Sequence, residues 1–122
     1  MSKLANGIGW FEIGTDDPAA VERFYGDVFG WTYSSDRDSE AYRFVTTPAE
    51  NSIKGGIQPT GGKAPNYAIF YVLVEDVAAT VRKAEAAGGK VLVPTTKTPD
   101  GLVFAHLLDT SGNQFGVFTP AG

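Results

Sequence analysis

The chain has 122 residues, 43% of them hydrophobic and 20% charged, which is the size and mixture of one soluble globular domain. It contains no cysteine, so disulfides, thiolate metal sites and a cysteine nucleophile are excluded. A net charge of −4 with scattered Lys and Arg offers no footprint for nucleic acid, and no stretch is apolar enough for a signal peptide or membrane span. No nucleic-acid or membrane partner is therefore expected, and a cytoplasmic location is the default.

In chain order, "WFEIGTD" (10–16) reads as a first strand. Asp16 or Asp17 then caps a helix with Pro18 in its first turn, where a missing N–H costs nothing. Val21, Phe24, Tyr25 and Val28 repeat at i, i+3, i+4 and i+7 and predict one apolar stripe, and Gly30 supplies the stop. Phe29 and Trp31 crowd the same corner, either sealing the turn from helix to strand or lining a ligand site. "WTYSS" (31–35), "AYRFVTT" (41–47) and "IKGGIQ" (53–58) follow as strands, with "RDSE" (37–40) as a solvated hairpin.

After the turn-rich "PTGGKAP" (59–65) the pattern starts again. "IFYVLVE" (69–75) is a strand, and Asp76 caps a helix whose thinner stripe is Val77, Val81, Ala84 and Ala87. Gly88-Gly89 ends that helix, and "KVLVP" (90–94), "LVFAHLLD" (102–109) and "NQFGVF" (113–118) are strands. A shift of 59 positions lays Asp17 on Asp76, Ala19-Ala20 on Ala78-Ala79, Arg23 on Arg82 and Gly30 on Gly89. The coincidence of residues and of element order predicts an α+β fold of two tandem βαβββ modules, about 5–60 and about 64–120, in a single domain.

"DPAAVERFYGDVFGW" (17–31), "VEDVAATVRKAEAAGGKV" (74–91) and "DTSGNQFGVF" (109–118) together resemble the vicinal oxygen chelate superfamily, which includes glyoxalase I, bleomycin resistance proteins and extradiol dioxygenases. The resemblance implies a curled mixed sheet around a cleft, helices on the outer face, and a homodimer. It does not imply one activity, because the superfamily hosts several chemistries on one scaffold. Metal-dependent members hold their ion with His, Glu or Gln on the first and last strands of each module. Carried onto this chain, those positions are Trp10, Gly56 or Ile57, Ile69 and Gly116. Indole, alkyl and glycine have no lone pair for a divalent cation, so neither a metal nor another cofactor is expected.

Alternation along the strands puts Trp10 and Glu12 on one face with Phe11 and Ile13 under the helix. By the same rule Ile69 and Tyr71 face the cleft while Phe70, Val72 and Val74 enter the core, and Gln114, Gly116 and Phe118 share the cleft side. The ligand-binding candidates are Trp10, Ile69, Tyr71, Gln114, Phe118, His106 and Gln58. Trp10 either fills the cleft or stacks on a guest, and His106 is either a satisfied strand histidine or a working one. Sparse polar groups among rings and alkyl chains suit a small apolar or aromatic metabolite. The competing expectation is a metal-independent lyase or isomerase in which Glu12 acts as general acid or base. A metal-dependent glyoxalase or dioxygenase is a third, which the ligand positions disfavour.

Overall fold

The structure is a computed structural model that describes residues 5–36 and 39–121. Both predicted repeats form. The first runs β1 (Ile8–Thr15), α1 (Pro18–Phe29), β2 (Thr32–Asp36), β3 (Ser39–Thr46) and β4 (Gly55–Pro59). The second runs β5 (Tyr67–Leu73), α2 (Val77–Ala86), β6 (Lys90–Lys97), β7 (Val103–Leu108) and β8 (Gln114–Thr119). The tip of the "RDSE" hairpin lies outside the described residues. None of the described helices is long and apolar enough to cross a membrane.

Two compact units emerge, Trp10–Ala68 and a second made of the chain up to Gly9 with Ile69 onward. In the first, the strand order is β2-β3-β4-β1, with β1 parallel to β4 and the other neighbours antiparallel. Register fixes what each face carries. Val45 pairs with Gly55 and Ile13 with Ile57, and Ile13, Val45 and Ile57 form the core beneath α1. Val45 and Ile57 are fully buried, worth about 1.5–3 kcal/mol each for their side chains. Arg43 shares that face and forms an ion pair with Glu22 of α1 at 3.2 Å.

Asp17 caps α1 by accepting the Ala20 N–H at 3.2 Å, and Gly30 ends it in the left-handed region at φ 76°. The expected stripe on α1 is only half used. Val21 and Tyr25 reach the core, whereas Phe24 is 58% and Val28 54% exposed. Trp31, placed just past Gly30, takes the contact that the last turn would have made. Its indole stacks on Tyr25 at 4.7 Å and 11° and meets Phe11 at 5.4 Å. Phe29, though 55% exposed, stacks on Tyr25 at 6.2 Å and 25° and tilts on Trp31 at 6.1 Å, and Phe24 meets Tyr25 edge-on.

In the second unit the order is β5-β8-β7-β6, again with its first and last strands parallel. Val74, Val77, Ala105, Leu107 and Val117 form its core, with Val81 and Ala84 of α2 packed on it. Asp76 caps α2 through the Ala79 N–H at 3.0 Å, but Ala87 is the C-cap and exposed rather than part of the stripe. Phe70 departs from expectation too. It stays 45% exposed and stacks on Phe115 at the margin of the core. The "DTSGN" turn is tied by Asp109, which accepts the Ser111 and Asn113 N–H groups at 2.8 and 2.9 Å. Those bonds, that of Asn113 foremost, hold the Asp109 carboxyl below the usual carboxylate range.

Candidate functional site

Each unit turns one sheet face away from its helix, and the candidate residues gather there. In the first unit Glu12 is paired with Gly56, and Phe44 with the same glycine from the other side. Glu12 is buried at 6% exposure. Such a carboxylate requires donors, and two phenols supply them. Tyr42 donates to Oε1 at 2.9 Å and Tyr67 to Oε2 at 2.6 Å. Trp10 Nε1–H donates to the Tyr42 hydroxyl at 3.1 Å, which fixes the plane of the indole, and Phe44 meets that indole edge-on at 6.0 Å. Burial first, and then the charge of Glu12, push the Tyr42 and Tyr67 hydroxyls above their ordinary value of 10.0.

In the second unit the same row reads Tyr71, Gly116, His106. Tyr71 Oη and His106 Nε2 hydrogen-bond at 2.5 Å, and Gln114 Nε2 lies 3.2 Å from His106 Nδ1. With the amide nitrogen toward Nδ1, a neutral imidazole carries its proton on Nε2 and offers it to the tyrosine oxygen. Phe118 closes on Tyr71 edge-on at 6.0 Å and Phe104 lies 5.8 Å from His106. Tyr71, His106, Gln114 and Phe118 are thus brought together, with Ile69 half-buried on the same strand face. Gln58 lies on the Glu12 face, paired with Gly14, yet its amide donates to the Pro59 carbonyl at 3.1 Å instead of joining the carboxylate.

Tyr42, Tyr67 and Phe44 belong to this face and were not singled out from the sequence. Their signal was present in "AYRF", where Tyr42 and Phe44 alternate, and in Tyr67, which shares its parity with Ile69 and Tyr71. Only the pairing of β3 with β4 shows that this parity meets Glu12.

The donor set does not suit the metal chemistry of the resemblance. Among the described residues no group of three or more His, Cys, Asp or Glu is placed to hold a metal ion. The glycines at the ligand positions also leave no room for a side chain. A Cβ on Gly56 would sit 1.9 Å from the Tyr42 oxygen, and one on Gly116 would sit 2.3 Å from the Tyr71 ring. Ile57, the other candidate position, is fully buried beneath α1. Tyrosine side chains occupy the space that a Cβ on either glycine would enter.

Known proteins agree with this architecture. A Mycobacterium tuberculosis protein provisionally named glyoxylase CFP32 is 35% identical over 113 residues, covering 92% of this chain and 43% of that protein. The anthracycline biosynthesis protein DnrV of Streptomyces peucetius is 32% identical over 134 residues, covering 97% of this chain and 49% of that one. The chain therefore spans less than half the length of these two relatives. Methylmalonyl-CoA epimerase from Mycobacterium tuberculosis superposes with a TM-score of 0.63 at 15% identity, over 100% of this chain and 93% of the other, a likeness of fold alone. Residues 7–117 match the Glyoxalase/Bleomycin resistance protein/Dioxygenase superfamily, and the chain belongs to it.

Proposed function

We propose that the chain is a single domain of this superfamily that binds a small apolar or aromatic metabolite without a metal, as a homodimer. The observation that carries the reading is the tyrosine cover over Gly56 and Gly116, which replaces ligating groups by phenol rings and hydrogen bonds. The faces so formed combine aromatic walls with few polar anchors, the usual make-up of a small-molecule site. A relative named for anthracycline biosynthesis adds support for an aromatic guest. Exposed Phe24, Val28 and Phe29 on α1 support self-association.

The rival reading makes Glu12 the acid or base of a metal-independent lyase or isomerase. It has less support, because both carboxylate oxygens already accept phenol hydrogen bonds. The deciding experiment is a fluorescence titration in a Trp31→Phe background, so that emission reports Trp10 alone. Saturable quenching by aromatic or alicyclic metabolites, with no turnover and with zero metal by elemental analysis, is the expected result. Unchanged emission across a broad panel overturns the binding reading. Turnover that Glu12→Gln abolishes while binding persists establishes the rival.

A further inference from the structure

Besides the Glu12 cluster, the same sheet face of the first unit holds an open-sided hollow of about 250 Å³ lined by Trp10, Ser34, Phe44, Val45, Thr46 and Lys54. Register explains why all of these but Val45, which belongs to the core beneath α1, share a face. Phe44 pairs with Gly56 and with Ser34, so Ser34 on β2 and Phe44 on β3 face the same way. Thr46 lies two residues beyond Phe44 on β3 and keeps that parity, and Lys54 immediately precedes β4, two residues before Gly56. Because Val45 pairs with Gly55, Thr46 and Lys54 are the next neighbours across the two strands. The Lys54 carbonyl accepts the Phe11 N–H at 3.3 Å, which sets the lysine beside Trp10.

The hollow has two kinds of wall. Trp10 and Phe44 stand at 89° to each other, a corner in which a flat ring can lie on one and meet the other with its edge. Opposite in character are the ammonium of Lys54 and the hydroxyls of Ser34 and Thr46. Among the described lining residues Lys54 is the only ionisable side chain, and it forms no ion pair with another described residue. Among the described residues no acid pairs with Lys54, and a lysine ammonium beside an aromatic corner suits an anion attached to a ring.

We infer that this hollow is a binding site for an aromatic carboxylate of one or two fused rings, the ring set in the Trp10–Phe44 corner and the carboxylate on Lys54, Ser34 and Thr46. The inference rests on the ligand-binding reading above and names its substrate class. Its test follows the Trp10 indole N–H resonance during titration with 2-naphthoate and with its neutral isostere 2-naphthamide. The acid should bind about tenfold tighter than the amide, as expected for a hydrogen bond to a charged group. In Lys54→Met, whose site is exposed and whose fold circular dichroism verifies, that preference should vanish while the amide binds as before. Rising salt should shrink the preference in the parent protein and leave the amide unchanged. Equal binding of the two compounds, or a preference that survives Lys54→Met, overturns the inference and leaves the ligand-binding reading intact. No shift of the Trp10 resonance with either compound also overturns the inference, and the ligand-binding reading falls with it only when the broad fluorescence panel is silent too.

Discussion

The two modules share a backbone plan and diverge in one row of three positions. In the first, Glu12, Gly56 and Phe44 stand across neighbouring strands, and in the second Tyr71, Gly116 and His106 occupy the same places. Glycine suits both places because a tyrosine side chain stands where a Cβ would be. Its neighbours differ in charge. A buried carboxylate in the first module must be satisfied by several donors, and Tyr42 and Tyr67 are drawn in from outside the row. A phenol and an imidazole in the second hydrogen-bond to each other, with Gln114 beside the ring. The duplicated scaffold therefore sets where polar groups stand, while one exchange of acid for phenol sets how many partners they need.

The largest effects should come from what the modules have in common. Ile57→Ala and Leu107→Ala each empty a fully buried site beneath a helix, and each should cost about 2–5 kcal/mol in urea unfolding. A cost confined to one of them would show that the cores are not equivalent.

Next in size are the phenols on Glu12. Tyr42→Phe and Tyr67→Phe each remove a hydrogen bond to a charged acceptor and should cost about 1.5–3 kcal/mol. The same pair governs alkaline behaviour. Because folding raises both phenols above 10.0, their contribution is whole below that pH and fades as pH rises beyond it, when the unfolded chain sheds protons that the folded one retains. Urea midpoints at about pH 9 and 11 should fall steeply for the parent protein and much less for the double variant.

The smallest effect should be that of Tyr71→Phe, which removes a phenol–imidazole hydrogen bond with no carboxylate in it, about 0.5–1.5 kcal/mol by the same unfolding measurement. A loss equal to that of Tyr42→Phe would break the distinction between a cluster with a carboxylate and one without.

Much of this was legible before any coordinates. The Asp17 and Asp76 caps, the Gly30 stop and the order of strands follow from local rules, since a cap or a positive φ is decided within a few residues. The α1 stripe was over-read. Periodicity marks which side chains share a helix face, but not how much of that face a neighbour covers, and Phe24 and Val28 stay more than half exposed while Trp31 stacks on Tyr25. The site was half legible for a related reason. Alternation gave the face of Trp10 and Glu12, whereas Tyr42 comes from 30 residues away and Tyr67 from 55.

The sequence by itself determined the two βαβββ modules, their caps and turns, and the lack of donors at the ligand positions, because these depend on residue type and near neighbours. Tertiary structure alone decided which phenols reach the buried acid, that rings lie over Gly56 and Gly116, and that Lys54 stands beside Trp10. Those outcomes depend on strand register, which brings distant residues face to face and which no local pattern encodes.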